Sequence, residues 1–374
     1  MERNDWKVLK LGDFCDLKAG KNVKVSEIKQ ECDEINKYPC YGGNGIRGYI
    51  KKYSHCLIYP IIGRQGALCG NVTLAKAPFY ATEHAVVVKP RSETNITWLY
   101  YKLRSLNLNQ YAQGVAQPGL AVSTLNKIPI PVPPLPVQAR IVDELDCLQG
   151  ILSKKRQQLA EYHSLAQAIF HQMFGDPVVN EKGWEVKRLG EVFDVFSGGT
   201  PSTKQNSYWE NGIIPWIGSN MCRNEIIKEG DGKFITQEGL NNSSAKIFSS
   251  GYVLVALVGA TIGKTALLKF DTSTNQNVAG INVPQNKNYT SEFIFFLLQN
   301  LYCLFENISK GKFKMANLTF VRNLPIIAPP LPLQHSFANR IAVINNQCES
   351  LNKSIHEMET LLATRMDKLL NMDC

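Results

Sequence analysis

Residues 259–265, Gly-Ala-Thr-Ile-Gly-Lys-Thr, follow an apolar run and end in the Gly-Lys-Thr of a nucleotide-binding phosphate loop. Such a loop needs four residues between its first glycine and the Gly-Lys pair, so that successive backbone N–H groups surround the phosphates. Only three residues separate Gly259 from Gly263, and the residue before Gly259 is a valine. A loop that is one residue short cannot present the same concavity of N–H groups. We therefore expect a glycine turn between two strands, and no ATP site.

No other pattern in the chain predicts catalysis or a metal centre. The six histidines are scattered, and neither a C-x-x-C pair nor a His/Cys cluster with zinc spacing is present. The sequence has no Asn-Pro-Pro-aromatic motif for adenine methylation, no glycine loop for S-adenosylmethionine and no carboxylate–lysine set typical of nucleases. We expect the ten cysteines to be reduced core thiols, because disulfide frameworks are typical of short secreted chains. The pattern predicts a protein without catalytic residues, metal or cofactor of its own.

The composition is that of a soluble globular protein of 374 residues, long enough for two domains. No apolar run approaches the ~20 residues that span a membrane, and the polar N-terminus lacks the apolar core of a signal peptide. We therefore expect a cytoplasmic protein.

The net charge of +9 is unevenly distributed along the chain. Residues 1–134 hold 18 Lys and Arg against 10 Asp and Glu, and residues 175–330 hold 15 against 13. Residues 135–174 are neutral, and residues 331–374 carry one excess acidic residue. A basic excess favours a polyanionic partner such as nucleic acid, although a merely basic soluble domain is the alternative.

The chain contains one long internal repeat. Five landmarks recur in the same order: WKVLKLGDFCDLKAG and WEVKRLGEVFDVFSG, YPCYGGNG and IPWIGSNM, GALCG and GATIG, TEHAVV and NQNVAG, IPIPVPPLPVQ and LPIIAPPLPLQ. In the copy of the glycine turn, Asn71 stands where the other has Lys264. A catalytic lysine would not be expected to be absent from one copy, which further disfavours an ATPase.

Each repeat begins with a predicted α+β domain. The runs 56–63, 84–90 and 252–258 have strand character, whereas 96–106 and 291–305 show helical spacing at equivalent places. We expect globular domains over 1–134 and 177–330, and helical regions over 135–176 and 331–374.

Each repeat ends with a predicted long helix. Its apolar residues follow alternating steps of four and three, which is typical of a coiled coil. The first series is Ile141, Leu145, Leu148, Leu152, Leu159, Tyr162, Ala166, Ile169 and Met173; the second is Ile341, Ile344, Cys348, Leu351, Ile355, Met358, Leu362 and Leu369. Lys155 and Arg365 interrupt them. Packing of each helix on its own domain is the alternative, which would favour a wider apolar stripe.

Proline and glycine predict where these helices begin and end. Pro136 and Pro332 suit a first helical turn, and Gly175 can adopt the left-handed conformation that ends a helix. The proline-rich segments 129–136 and 325–332 lie between domain and helix, where we interpret them as stiff linkers. Two basic domains on a rod about 50 Å long could read two sites on one duplex, about a helical turn apart.

The duplicated PPLP-x-Q helix entries, the W-x-V-x-x-L-G-[D/E] domain starts and the YGGNG loop resemble the specificity subunit of type I restriction-modification systems. The resemblance covers essentially the whole chain. It implies two target recognition domains separated by long helices that pack as an antiparallel coiled coil. It also implies a target of double-stranded DNA with two unlike half-sites and a nonspecific spacer, methylated on adenine.

The implied partners are two modification (methyltransferase) subunits that dock on the helices, and a restriction subunit with nuclease and translocase activity. S-adenosylmethionine, ATP and Mg²⁺ are then expected only in those partners. A coiled-coil assembly protein that binds other proteins without DNA specificity remains the alternative function.

Candidate DNA contacts are amide or cationic residues on predicted turns, because such groups read bases and neutralise phosphates. In the first domain they are Lys21, Asn22, Lys24, Asn44, Arg47, Arg64, Gln65 and Gln117; in the second they are Thr200, Lys204, Asn220, Lys264, Lys310, Lys312 and Lys314. A solvated surface residue or turn former is the alternative for each of them. The expected helix and partner interface comprises Ile141, Leu145, Leu148, Leu152, Leu159, Ile169, Ile344, Leu351, Ile355, Leu362 and Leu369.

Overall fold

The computed structural model describes residues 5–66, 68–114, 118–284, 288–309 and 315–371. The chain divides into two compact units: Met1–Gln157 with Asn352–Cys374, and Gln158–Leu351. The fold is α+β, as predicted, and each unit contains one globular domain and segments of two long helices.

The described residues of the first domain form short strands, three short α-helices and two 3₁₀ helices, Val25–Glu27 and Leu108–Tyr111. The strands are β1 (Lys7–Lys10), β2 (Cys15–Ala19), β3 (Tyr38–Gly42), β4 (Gly45–Ile50), β5 (Tyr59–Gly63), β6 (Val72–Ala75), β7 (Tyr80–Ala81), β8 (Ala85–Pro90) and β9 (Pro129–Val132). The helices are α1 (Leu11–Phe14), α2 (Ile96–Ser105) and α3 (Val122–Leu125). One sheet has the order β2-β8-β5-β6, a second β4-β3-β7, and β1 pairs with β9. The predicted strands at 56–63 and 84–90 and the predicted helix at 96–106 are confirmed.

The first long helix, α4, spans Leu135–Phe174 and leads into the second domain. Its strands are β10 (Val186–Arg188), β11 (Val195–Ser197), β12 (Ile214–Ile217), β13 (Glu225–Ile227), β14 (Phe234–Ile235), β15 (Ile247–Phe248), β16 (Val253–Ala256), β17 (Thr265–Leu268), β18 (Thr272–Thr274), β19 (Val278–Ile281) and β20 (Pro325–Ile327). Its helices are α5 (Leu189–Val192), α6 (Gln237–Asn241), α7 (Ser291–Asn300), α8 (Tyr302–Ser309) and α9 (Leu318–Arg322). The second long helix, α10, spans Leu331–Leu370.

The second domain repeats the pairing of the first. Its main sheet has the order β11-β19-β16-β17-β13, a second sheet has the order β14-β12-β18-β15, and β10 pairs with β20 as β1 pairs with β9. The single helix predicted over 291–305 is wrong. Leu301 separates α7 from α8, and the Leu304 N–H bonds to the Leu301 carbonyl at 3.0 Å in a tighter turn.

The two long helices pack antiparallel within each unit. In the first unit, Arg365 of α10 bonds Glu144 of α4, and the buried Ile141 and Leu145 of α4 share a core with Leu369. In the second unit, Phe170 of α4 lies in one core with the start of α10. Arg365, which interrupts the heptad series, is therefore an ion-pair residue at the edge of the seam.

The heptad positions predicted as interface are buried or half-buried, as the coiled-coil pattern requires. Ile141, Leu145, Leu152, Ile344, Leu351, Ile355 and Leu369 are buried, and Leu148, Leu159, Ile169 and Leu362 are half-buried. The alternative of packing on a domain also holds at helix ends in both units. In the first unit, Ile141 and Leu145 share a core with Trp98 of the first domain. In the second unit, Phe170 stacks with Phe293 of α7, and Phe174 meets the same ring edge-on in the second domain's core.

The prolines and the glycine mark the helix ends as predicted. Pro136 and Pro332 lie in the first turns of α4 and α10, and Gly175 ends α4 with a φ of +78°. The linker interpretation of the proline-rich segments is wrong for their first halves. Pro129–Val132 and Pro325–Ile327 are strands, in line with the tolerance of two-stranded ribbons for proline at their edges.

A buried glutamine joins each long helix to its domain. Gln138, 2 % exposed, accepts from the Asn95 N–H (2.9 Å) and donates to the Pro133 carbonyl (2.9 Å). Gln334, 0 % exposed, does the same with the Thr290 N–H (3.0 Å) and the Pro329 carbonyl (2.8 Å). Asn95 and Thr290 cap α2 and α7, so the motif glutamine couples two helix starts in each unit.

The nine cysteines that the structure describes are free thiols, but they are not all in the core. Cys15, Cys40, Cys69 and Cys222 are buried, whereas Cys32, Cys56, Cys147 and Cys303 are exposed. The prediction of core thiols is therefore wrong for the exposed set.

Candidate nucleic-acid interface

The two glycine turns join antiparallel strands. Gly66 and Gly70 lie between β5 and β6, and Gly259 and Gly263 lie between β16 and β17. All four glycines have positive φ, between +72° and +88°, which residues with a Cβ rarely adopt. A phosphate loop leads from a strand into a helix, whereas these turns lead into strands. The expectation of a glycine turn is confirmed.

The turns lie in the same backbone framework in both domains. The hydrogen bonds match one for one at the residues that the sequence repeat aligns. The matched pairs are Gly70 N–H to Gly63 O (2.8 Å) with Gly263 N–H to Ala256 O (2.9 Å), Arg64 N–H to His84 O (3.1 Å) with Leu257 N–H to Asn277 O (2.8 Å), and Thr82 N–H to Tyr41 O (2.9 Å) with Asn275 N–H to Ile217 O (3.1 Å). Glu83 and Gln276 therefore occupy equivalent positions.

In the first domain, three of the predicted residues line one groove. We call it the first groove; it is lined by Gly43, Asn44, Ile46, Arg47, Gln65, Gly66 and His84, with a volume of about 500 Å³. The β3–β4 hairpin supplies Asn44 and Arg47, and the glycine turn supplies Gln65. The aliphatic part of the exposed Arg47 lies against Gly42, where a Cβ would be 2.4 Å from Arg47 Cδ.

His84, which lines the first groove, lies beside an acidic neighbour. His84 Nε2 lies 3.2 Å from Glu83 Oε1, and both side chains are more than a third exposed. Four buried atoms of His84 and of residues next to His84 or Gln65 in the chain have no hydrogen-bond partner among the described residues: Arg64 Nε, Thr82 Oγ1, Glu83 Oε2 and His84 Nδ1. Buried polar groups are nearly always paired, so these two segments differ from an ordinary core.

The remaining predicted residues of the first domain are less closely grouped. Lys21, Asn22 and Lys24 are exposed on the segment after β2, where the Lys21 N–H bonds to the Ala81 carbonyl (3.1 Å). Gln117 lies outside the described residues. The segment that follows it pairs with the glycine turn, since Gly119 pairs with Gln65.

In the second domain, two of the predicted residues lie near two amide residues that are adjacent in sequence. We call Asn220, Asn275 and Gln276 the amide cluster. Asn220 and Asn275 both lie over Gly218, where a Cβ would be 2.6 Å from Asn220 Oδ1 and 3.4 Å from Asn275 Nδ2. The Thr200 hydroxyl donates to Gln276 Oε1 at 2.6 Å. The predicted Asn220 and Thr200 thus lie beside Asn275 and Gln276 respectively, which the sequence did not predict.

The two predicted lysines that the structure describes lie on other loops of the same domain. Lys264 is half-buried directly after Gly263, and Lys204 is exposed on a turn after β11. Thr261 of the glycine turn donates to the Ser219 carbonyl at 3.1 Å, which ties the turn to the loop of Asn220. Lys310, Lys312 and Lys314 lie outside the described residues.

Sequence reasoning missed Glu83, His84, Asn275 and Gln276. All four lie in the repeated landmarks TEHAVV and NQNVAG, so their position was visible as a repeat. The available signal was the difference between these two landmarks, which occupy equivalent places in the repeat but carry different polar side chains. Among the described residues, no His, Cys, Asp and Glu group could hold a metal ion. No helix in the described part of the chain is long and apolar enough to cross a membrane.

The geometry agrees with what comparison with known proteins finds. The model of the type I restriction modification DNA specificity domain matches residues 3–162 and again 181–360. The chain belongs to this family. The two matches correspond to the two copies of the repeat, so each copy is one specificity domain of the family.

Individual relatives cover the chain to different extents. The MjaIX type I restriction enzyme specificity subunit of Methanocaldococcus jannaschii is 25% identical, over 92% of this chain and 88% of the relative. The EcoprrI specificity subunit of Escherichia coli is 46% identical over 147 residues, which span only 37% of that relative. The crystal structure of an S subunit from M. genitalium has the same fold, with a TM-score of 0.60 at 17% identity over 99% of this chain and 97% of that one.

Proposed function

We propose that this chain is the non-catalytic DNA-recognition subunit of a type I restriction-modification complex. It reads an asymmetric, bipartite double-stranded site and directs adenine methylation and restriction by partner subunits. The observation that carries the proposal is the duplicated framework: two equivalent sets of loops present unlike polar side chains. One framework with two surfaces suits two short sites of different sequence.

The polar groups at each site have the chemistry that DNA recognition requires. The first groove offers a guanidinium and two amides, and the second domain offers the amide cluster, with Lys204 and Lys264 on other loops of that domain. Arginine, glutamine and asparagine read base edges in the major groove, and cations neutralise phosphates. The buried His84 Nδ1, which has no partner among the described residues, also agrees with a groove that gains partners on binding.

The decisive experiment maps adenine methylation across a genome, with this chain present or deleted beside its methyltransferase partner. We expect one asymmetric two-part motif that disappears with the chain. Replacing only residues 177–323 by the segment of another family member should change one half of the motif and leave the other. A motif that persists without the chain, or changes in both halves, would contradict the proposal.

An assembly protein without DNA specificity is the alternative, and the salt dependence of binding separates the two. Neutralisation of phosphates makes duplex affinity fall steeply with salt concentration. We expect the assembled complex to bind duplex DNA with such a slope, and to prefer the mapped motif over a scrambled duplex. Binding that ignores both salt and sequence would favour the alternative.

The long helices are the surface on which we place the partners. Five of their large apolar side chains are exposed and stand outside the heptad series: Leu135, Ile151, Leu165, Val343 and Leu361. Two modification subunits and one restriction subunit complete the proposed complex, and S-adenosylmethionine, ATP and Mg²⁺ bind in those subunits. Val343→Asp should weaken co-purification of the modification subunit while the helical circular dichroism signal is unchanged; unchanged co-purification of this and a Leu361→Asp variant would refute the placement.

A further inference from the structure

We propose that Gln276 reads an adenine base in one half-site and is oriented for this by Thr200. This inference rests on the proposed function and deepens it, because it assigns a base type to one side chain. Gln276 is exposed two residues after the end of β18, and the Thr200 hydroxyl donates to its Oε1 at 2.6 Å.

Hydrogen bonds of the neighbouring residues fix the positions of Thr200 and Gln276. The Gly199 N–H bonds to the Thr274 carbonyl at 2.8 Å, and the Trp216 indole N–H bonds to the Gly199 carbonyl at 3.0 Å. Gly199 precedes Thr200, and Thr274 lies two residues before Gln276. Thr274 belongs to β18 and Trp216 to β12, so these two strands hold both Thr200 and Gln276 in place. A side chain held in one rotamer loses less entropy when it binds.

The groups left available on Gln276 match adenine. A hydroxyl that donates to Oε1 occupies one of its two lone pairs and leaves the other with the Nε2 donors. Adenine presents an N7 acceptor and an N6 donor side by side in the major groove, and a glutamine amide bonds both at once. Guanine presents two acceptors there, which the acceptor end of the amide cannot satisfy.

The equivalent residue in the first domain, Glu83, cannot bind adenine in this way. When it is ionised, the Glu83 side chain can accept hydrogen bonds but cannot donate them. Its Oε1 lies 3.2 Å from His84 Nε2. A carboxylate cannot donate to adenine N7. The two copies therefore differ, at one matched position on one backbone framework, in whether adenine can be bound.

The test uses the complete complex with its partner subunits and duplexes that carry the mapped motif. Each base pair of the two half-sites is replaced in turn, and binding is measured by competition. With the natural chain, we expect replacement of one A·T pair in the half-site read by the second domain to weaken binding roughly 5- to 150-fold. We call the fold-loss of affinity on replacing a base pair its penalty. In the Gln276→Met complex, the penalty at this A·T pair should fall to near unity, and the penalties at all other base pairs should stay unchanged. Thr200→Val should reduce the same penalty partially.

Controls separate base reading from charge and from misfolding. Gln237→Glu changes the charge of the same domain at the exposed start of α6, and should leave all penalties unchanged, whereas Gln276→Glu should abolish the one adenine penalty. The inference is overturned if Gln276→Met keeps every penalty, or lowers all of them together. If the natural complex shows no penalty at any position, the proposed function itself fails, which is a different result.

Discussion

The buried glutamines at the helix entries allow a stability prediction at two matched sites. Gln334→Met keeps the length and helix propensity of the side chain but removes three hydrogen bonds: to the Thr290 N–H (3.0 Å), the Asn288 carbonyl (3.0 Å) and the Pro329 carbonyl (2.8 Å). At about 1 kcal/mol net for each bond, we expect a loss near 3 kcal/mol. Gln138→Met removes two such bonds, for a loss near 2 kcal/mol.

Urea unfolding of each variant measures these losses, and hydrogen exchange locates them. The Thr290 amide should lose protection in Gln334→Met, and the Asn95 amide in Gln138→Met, because each donates to the missing oxygen. Gln347→Met, on an exposed position of α10, is the control and should change stability by less than about 0.5 kcal/mol. If Gln334→Met unfolds at the same urea concentration as this control, the buried amide does not stabilise the junction and our reasoning is refuted.

Three further predictions concern other contacts. Burial lowers the pKa of Lys102 to about 8. Between pH 8 and 10 the unfolded chain therefore binds more protons than the folded chain, and the free energy of unfolding should rise with pH. Lys102→Met should flatten this rise when urea unfolding is measured across this pH range. The half-exposed Arg365–Glu144 pair should show a coupling below about 1 kcal/mol in a double-mutant cycle, and lose it in high salt; a larger, salt-independent coupling would contradict this. Gly263→Ala should destabilise more than Gly259→Ala, by about 1–3 kcal/mol in thermal unfolding, because its Cβ would lie 2.7 Å from a phenylalanine ring while that of Gly259 meets open space.

Much of the fold could be predicted because its signals are local and repeated. The heptad series, Gly175 and Pro136 each act through the backbone or through one helix face, so spacing alone indicates them. Packing of the helices on a domain was predicted only as the alternative, since Phe170 and Phe174 pack on a domain whose position no spacing reveals. The strands at Pro129–Val132 and Pro325–Ile327 were missed because proline content outweighed their pairing partners, which lie more than a hundred residues away.

The candidate site was harder to predict than the fold. Exposed polar residues carry no periodicity, so Asn44, Arg47 and Gln65 could be chosen only by residue type and turn context. Glu83 and Gln276 gain meaning only when the matched hydrogen bonds show that they are equivalent. The base contacts themselves stay predictions.

The way the framework is built explains how two domains of common origin can read different sequences. The hydrogen bonds that hold both glycine turns come from main-chain N–H and carbonyl groups, which every residue other than proline supplies. Replacement of Glu83 by glutamine, or of Asn71 by lysine, leaves those main-chain bonds in place and changes side-chain groups, among them the bond from Asn71 Nδ2 to Asn44 Oδ1 at 3.2 Å. The four glycines of the two turns have positive φ and cannot vary freely, and both copies retain them. Stability and specificity thus depend on different atoms of the same loops, so the readers can diverge without loss of the fold.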